Sequence, residues 1–197
     1  SDTLKIAQSL YEKKLITYPR TESKHLPTNF AQHIERNVQA AQSVPQLQQA
    51  VQYIAGQNTS RIMQSKRYVD DKKLTDHHAI TLTDVTPKFA SLSMAEQRVY
   101  ELVAKRLLSI FLPPYTFDET TVVLTSGGET FKARGKMVIE KGFTALYETH
   151  KKKEELPLPF MQQGDVLSIQ QKLILSKMTE PPPRYTDSSL LDAMFHA

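Results

Sequence analysis

Cysteine is absent from this 197-residue sequence. Its absence excludes a disulfide framework and any zinc finger built on cysteine ligands, and it fits a reducing compartment. No apolar run approaches the roughly 18 residues that a membrane-spanning helix needs. The first ten residues also lack the pattern of a secretory signal peptide. We therefore expect a cytoplasmic protein with no membrane partner.

What the sequence does contain is typical of a globular protein with a mild basic excess. Hydrophobic residues make up 40% and charged residues 23%, so the chain can bury a core without cross-links. The net charge of +4 is compatible with nucleic-acid binding, but many enzymes share it. The sequence opens and closes directly on helical patterns, and we interpret it as a piece of a larger protein.

Apolar spacing predicts a mainly helical structure up to residue 113. The predicted helices cover residues 3–14 and stretches that open at Pro27, Pro45 and Ser93. Ser93 and Glu96 form a capping-box pattern, and Pro113-Pro114 ends the last of these helices. Residues 57–76 are polar and poorly periodic, which predicts a long loop.

Patterns typical of β-structure follow. Residues 118–125 are rich in β-branched side chains and precede Gly127-Gly128, which predicts a hairpin. Further strand candidates lie at 137–139 and 166–175, and a helix is predicted over 187–196. The predicted fold class is α+β multidomain, with a helical domain over 1–113, a β-rich domain over 114–177, and the start of a further helical element over 178–197.

A short stretch, YEKKLITYPRTES at residues 11–23, combines a phenol, a cation and two hydroxyl groups. Tyr18 precedes a proline and is biased toward an extended backbone, in which residues i and i+2 point to one side. Tyr18 and Arg20 could therefore face one ligand, and Thr21 and Ser23 add donors. A neutral phenol is a poor nucleophile, but a nearby cation favours its ionised form and braces a phosphate. These residues permit phosphoryl transfer to tyrosine without requiring it.

The same stretch resembles the active-site motif of type IA DNA topoisomerases. The proline after the tyrosine resembles the topoisomerase III branch, and Glu22 stands where the family usually has aspartate. Residues 70–83, DDKKLTDHHAITLT, resemble the histidine motif of the family. Three more blocks follow in family order: VYELVAKRLLSIFL at 99–112, FKARGKMVIEKGFTALY at 131–147 and PPPRYTDSSLLDAM at 181–194.

The resemblance implies a helical domain that carries the active-site tyrosine, followed by part of the β-rich arch of such an enzyme. It implies transient cleavage of single-stranded DNA through a 5′-phosphotyrosine, passage of a strand, and religation without ATP. Tyr18 falls on the nucleophile and Arg20 on the arginine that supports the scissile phosphate. The candidate DNA-binding residues are His77, on the phosphate-contacting histidine of the family, and its neighbours His78, Thr21 and Ser23.

Magnesium is the cofactor that the resemblance implies for the full-length enzyme. The family holds Mg²⁺ with carboxylates of an amino-terminal domain, and this sequence has no counterpart of that acidic motif. We therefore expect the chain to bind no metal itself. Its expected partners are single-stranded DNA and the remaining domains of the enzyme, without which we expect it not to cleave DNA.

Other interpretations of the same residues stay open. A non-catalytic single-stranded nucleic-acid-binding module would use the basic residues of 61–73 on phosphates. An assembly segment would pack the apolar stripe of 99–111 on a partner. A tyrosine recombinase would need several dispersed arginines, and a rolling-circle nickase would need a paired-histidine metal cluster. The ordered motif blocks fit neither of these two enzymes.

Overall fold

A computed structural model describes residues 2–147 and 157–196. The chain divides into two compact units, residues 1–158 and residues 159–197. Helices and one two-stranded antiparallel sheet make up its regular structure, which agrees with the predicted α+β class. The predicted domain limits at residues 113 and 177 were drawn from changes in composition, and they stay predictions.

The predicted helices of the first unit are present. Its α-helices are α1 (Asp2–Glu12), α2 (Ile34–Ala40), α3 (Gln48–Ala55), α4 (Ser60–Met63) and α5 (Met94–Ser109), and short 3₁₀ helices cover Thr28–His33, Ala41–Ser43, Pro45–Leu47, Asp71–Lys73 and Phe89–Ser91. The predicted capping box starts α5: Ser93 Oγ accepts a hydrogen bond from Glu96 N at 3.3 Å, and the Glu96 carboxylate accepts one from Ser93 N at 3.0 Å. These two bonds satisfy amide groups that the first helical turn leaves unpaired.

The core of this unit lies between α5 and the helices before it. Tyr100 and Leu108 of α5 are completely buried, as are Leu10 of α1 and Val44. The Tyr100 hydroxyl donates a hydrogen bond to Ala40 O at 3.2 Å, and burial raises the pKa of Tyr100 to about 12. In the apolar stripe that could have served a partner, Leu107 and Phe111 are buried, whereas Leu102 is 60% exposed.

Residues 57–76 are more ordered than the predicted long loop. They contain α4 and the 3₁₀ turn Asp71–Lys73, and Met63 is buried in the core. Leu26 N donates to Tyr68 O at 2.8 Å, and the Thr28 hydroxyl donates to the Asp71 carboxylate, which lowers the pKa of Asp71. Tertiary contacts of this kind organise a segment whose own periodicity is weak.

The predicted hairpin is confirmed. Strand β1 (Thr116–Ser126) pairs antiparallel with β2 (Glu129–Glu140), and the residues predicted as a separate strand at 137–139 continue β2. The turn residues Gly127 and Gly128 have φ of 61° and 84°, a conformation that glycine adopts without steric cost. At the base of the hairpin, Phe143 N donates to Pro113 O at 2.9 Å.

The second unit, residues 159–197, contains α6 (Asp187–Phe195). This helix confirms the prediction for 187–196, and Thr186 Oγ1 caps it by accepting a hydrogen bond from Ser189 N at 3.2 Å. The strand predicted over 166–175 was wrong, because no strand or bridge is assigned there. Its apolar side chains are largely exposed, and an extended segment becomes a strand only when a neighbouring segment pairs with it. None of the described helices has the length and apolar character to cross a bilayer.

Candidate active site

The chain reverses direction at the end of α1, just before Tyr18. Leu15 N donates to Leu10 O at 2.9 Å and Lys14 N donates to Tyr11 O at 2.8 Å, which are the two hydrogen bonds of a Schellman motif. Lys14 occupies the left-handed position with φ of 60°. Leu10 and Leu15 are both buried, and this contact fixes where the tyrosine segment leaves the helix.

Hydrogen bonds hold the tyrosine segment against the last residues of the histidine motif. Ile16 and Leu82 form an antiparallel bridge, and Thr17 N donates to Thr81 O at 2.9 Å. The Thr17 hydroxyl donates to Ala79 O at 3.1 Å and accepts from Thr81 N at 2.9 Å. Thr17 is therefore bonded through both backbone and side chain, and the residue after it has little freedom.

The ring of Tyr18 contacts two other rings. The His77 ring centroid is 4.3 Å from that of Tyr18, with 42° between the ring planes, and the Tyr11 ring meets Tyr18 edge to face at 5.3 Å. Tyr18 is half-buried, whereas His77 is exposed and Tyr11 is 39% exposed. A phenol and an imidazole thus share one accessible surface, and both ring types form hydrogen bonds with phosphate oxygens.

A bend in the backbone separates Arg20 from Tyr18, and their shared contact with one ligand stays a prediction. The backbone bends at Pro19 and Arg20, and Pro19 is buried, so the regular alternation of an extended stretch does not continue past Tyr18. The exposed Arg20 side chain lines a groove of about 420 Å³ together with Gln8 and Glu12 of α1. No ion pair within the described part of the chain engages its guanidinium, which remains available to an anion.

The hydroxyl groups of Thr21 and Ser23 are engaged inside the protein. Thr21 Oγ1 donates to His77 O at 2.9 Å and accepts from Ser23 N at 3.1 Å. Ser23 is buried, and its Oγ donates to Lys73 O at 3.2 Å. These bonds hold the histidine motif beside the tyrosine segment. The DNA-binding role of both hydroxyl groups stays a prediction.

The two histidines of the motif have different surroundings. His77 is exposed against Tyr18, whereas His78 is half-buried. The Nδ1 atom of His78 lies 2.8 Å from Ala79 O, and its ring lies 5.5 Å from that of Phe30. The structure therefore brings His77, and not His78, against the tyrosine ring.

A charged contact fixes α1, and with it Tyr11, against α5. The Glu96 carboxylate accepts hydrogen bonds from Lys13 Nζ at 2.5 Å and from Ser9 Oγ at 2.8 Å, in addition to the cap bond from Ser93 N. Chiefly through the Lys13 bond, these contacts lower the pKa of Glu96 to about 2.

The described residues do not fit a magnesium site. Within residues 2–147 and 157–196, no group of three His, Asp or Glu side chains converges in a way that would hold a metal ion. Magnesium prefers several oxygen ligands in octahedral geometry, and the described carboxylates do not converge to supply them. No chemical step is therefore assigned to a metal held by this chain.

Sequence reasoning did not single out Tyr11 or Thr17 as parts of the site. Tyr11 was only part of the helix predicted over residues 3–14, and Thr17 was given no role. The signal for Tyr11 was its position in the last turn of α1, because a Schellman reversal brings the following segment back past that turn. The signal for Thr17 was a hydroxyl next to the tyrosine, but its bonding partners lie 62 and 64 residues away.

The structure thus brings together a half-buried tyrosine in ring contact with a histidine and a second tyrosine. Two residues after this tyrosine stands an arginine that has no ion pair among the described residues. Comparison with known sequences gives the family. The family profile described as DNA topoisomerase matches residues 1–197, and the chain belongs to this family.

Relatives narrow the assignment. The chain is 36% identical over 200 residues to the protein named DNA topoisomerase 3 of Bacillus subtilis, with 98% of the chain and 27% of the relative covered. The protein of the same name from Bacillus licheniformis is 35% identical over 199 residues, with the same shares covered. One from Bacillus cereus is 33% identical over 205 residues. The chain is thus a type IA, topoisomerase III-like sequence, as predicted, and it spans 27% of the length of these relatives.

Proposed function

We propose that Tyr18 is the nucleophile of a type IA topoisomerase and that it cleaves single-stranded DNA by transesterification. The observation that carries the proposal is the contact between the accessible Tyr18 ring and the exposed His77 ring. The names of the Bacillus relatives support the same activity.

In the proposed reaction, the phenolic oxygen of Tyr18 attacks the phosphorus of a phosphodiester. An O–P bond to tyrosine forms as the bond to the 3′ oxygen breaks, which leaves a 5′-phosphotyrosine and a free 3′-hydroxyl. The phenol loses one proton and the leaving oxygen gains one, so the step is balanced. One phosphoester replaces another, and religation by the 3′-hydroxyl needs no ATP.

His77 and Arg20 are proposed to stabilise charge on the phosphate. The imidazole of His77 lies beside the attacking phenol and donates from a ring nitrogen to a phosphate oxygen. The exposed guanidinium of Arg20 supplies a bidentate contact on the other side of the bend at Pro19. Donors placed where negative charge develops lower the barrier of such a step.

The remaining parts of the enzyme are proposed to lie outside this chain. We place the magnesium carboxylates in another domain, because no described cluster of this chain holds a metal. We assign residues 1–113 to the helical tyrosine domain and the β1–β2 hairpin to the arch. DNA passage would then use this chain as one moving part of a larger ring.

The test joins residues 1–197 to the rest of the Bacillus subtilis relative and exposes the protein to a single-stranded oligonucleotide with Mg²⁺. A denaturing gel should show a 3′-end label in the protein band and a 5′-end label in a shortened free strand. Tyr18→Phe should abolish both products. Tyr53→Phe, at a tyrosine of α3 that is 45% exposed, should leave both unchanged.

A label that enters the protein from the 5′ end would contradict the proposed polarity. An adduct that survives Tyr18→Phe would assign the nucleophile elsewhere. If no adduct forms and DNA binding weakens with salt without responding to Tyr18→Phe, the non-catalytic binding module would be the better description.

A further inference from the structure

A second groove adjoins the tyrosine segment. It has a volume of about 370 Å³ and lies between the loop that follows Arg20, the segment 79–81 and the last turn of α5. It shares no lining residue with the groove at Arg20. The volume lies within the range of sites for small ligands.

The charge of this groove favours an anion. Lys24 and Arg106 line it, both are exposed, and no acidic side chain lines it. Neither cation takes part in an ion pair within the described ranges of the chain. Two uncommitted cations at one groove attract a phosphate group and brace its oxygens.

The walls of the groove also suit a base. The Tyr68 side chain and the partly exposed Ile80 line it beside Ile110, the residue that follows α5. An aromatic ring and aliphatic surface at one place match a base better than inorganic phosphate.

The groove is close to the proposed nucleophile along the chain. Thr21 lines it and follows Tyr18 by three residues, which span at most about 10 Å. The Thr21 hydroxyl also holds His77 through its carbonyl oxygen. A strand bound in the groove would therefore continue toward the tyrosine.

We propose that this groove binds one nucleotide of single-stranded DNA beside the cleavage position. Lys24 and Arg106 contact its phosphate, and the base packs against Tyr68. The inference rests on the proposed function and deepens it, because it adds a strand-positioning site to the tyrosine chemistry.

The experiment measures fluorescence anisotropy of a labelled twelve-residue oligothymidylate with the 197-residue chain over a salt series. Lys24→Gln and Arg106→Gln each remove one cation from the groove. Lys88→Gln and Arg98→Gln, at exposed cations outside the groove and in the same unit, are the matched controls. Each groove variant should weaken binding and reduce the slope of log affinity against log salt by about 0.7, and the controls should change the slope far less.

A second arm tests the base contact with Tyr68→Leu. This variant should weaken binding of oligothymidylate by roughly fivefold or more. It should leave the affinity for an abasic strand of equal length nearly unchanged. Equal loss with both strands would overturn the base contact.

The proposal would be overturned if the groove variants and the control variants had the same slope of log affinity against log salt. It would also be overturned if the chain had no affinity for oligothymidylate. If instead Arg106→Gln left DNA binding intact but lowered the melting temperature of the joined Bacillus protein, the groove would be a docking surface for another domain. The Tyr18 adduct is measured separately. Suppose that the Tyr18 adduct forms but that Lys24→Gln and Arg106→Gln leave the slope of log affinity against log salt unchanged. That result would reject this nucleotide-binding groove and leave Tyr18 as the nucleophile.

Discussion

Lys14 has a backbone conformation that suits glycine. Its φ of 60° places the Cβ atom close to a backbone carbonyl oxygen, which costs a non-glycine residue roughly 1 kcal/mol. Lys14→Gly should therefore raise the free energy of unfolding by about 0.5–1 kcal/mol. Urea titration measures the change. Lys5→Gly, inside α1, should lower the same quantity by about 1 kcal/mol, and equal effects of both variants would contradict the assignment.

Glu96 provides a pH-dependent contribution to stability. Its pKa falls from an ordinary value near 4.5 to about 2 because Lys13, Ser9 and Ser93 N donate to the carboxylate. A lowered carboxyl pKa stabilises the folded state above the unfolded-state value, and this stabilisation disappears as the pH falls through the folded-state value. The stability of the protein should thus decline between about pH 4.5 and pH 2.

Glu96→Gln should lower the free energy of unfolding at pH 7 by about 2 kcal/mol. Its difference from the unsubstituted protein should shrink between pH 4.5 and pH 2, and urea titrations at pH 7, 4 and 3 measure this. Glu101→Gln removes a surface ion pair of 2.7 Å with Lys105 and should cost only about 0.5 kcal/mol. A difference at Glu96 that stays constant with pH would show that the carboxylate charge contributes nothing.

At the scale of elements, the pairing of the tyrosine segment with residues 79–83 determines the geometry of the site. Thr17→Val removes a hydroxyl that bonds to Ala79 O and Thr81 N. The loss leaves Thr81 N without a partner, whereas Ala79 O still lies 2.8 Å from His78 Nδ1, so the free energy of unfolding should fall by about 1–3 kcal/mol. The rate of adduct formation in the joined protein should fall as well, because His77 and Tyr18 lose a common support.

Thr17→Ser retains the hydroxyl and should restore most of the adduct rate. Thr83→Val provides a comparison, because its hydroxyl also joins two backbone groups, donating to Lys14 O and accepting from Val85 N, but neither group belongs to residues 79–81. An adduct rate that follows stability equally in the Thr17 and Thr83 variants would argue against a specific effect on the site.

Which elements could be predicted from the sequence depends on the range of their interactions. Helix α5 and the β1–β2 hairpin were predicted because a capping box and a diglycine turn act over a few residues. The order within 57–76 was missed because it depends on contacts with Leu26 and Thr28. The strand over 166–175 was predicted from side-chain type alone, without a pairing partner.

In the site, too, long-range contacts could not be predicted from the local sequence. The motif residues Tyr18 and His77 were predicted from their resemblance to a family, and the structure brings their rings together. Thr17 and Lys24 carried no recognisable pattern of their own. The bend at Pro19 was also missed, since a proline restricts the preceding residue but does not by itself predict how the next residue is directed.

At the scale of the whole molecule, the chain is expected to depend on domains that it does not contain. It spans 27% of the length of its Bacillus relatives, and its described residues hold no metal cluster. Incubated alone with end-labelled single strands and Mg²⁺, the chain should give no shifted band on a denaturing gel. A band that requires Tyr18 would contradict this expectation and place all the essential groups within these residues.

Gly142 connects the hairpin to the helical part of the first unit. Its φ is 48°, and a Cβ atom there would overlap the carbonyl oxygens of Pro113 and Pro114. Gly142→Ala should lower the free energy of unfolding by about 2 kcal/mol or more, as measured by urea titration. Gly128→Ala has a similar positive φ but open space around it, so it should cost less. If both variants lowered the free energy of unfolding equally, the positive φ alone would account for the loss and the overlap with Pro113 and Pro114 would not contribute.

The hairpin extends as a long two-stranded arm from its attachment at Gly142. Each strand has 11 or 12 residues, a length of roughly 35 Å, and the base is joined to the helices by the Phe143–Pro113 hydrogen bond and by Leu146, which packs on the core. A rotation of about 10° at this base would carry the Gly127-Gly128 tip through about 6 Å, because arc length grows with the length of the arm. In such a rotation the tip would move furthest, because it lies at the greatest distance from the base near Pro113.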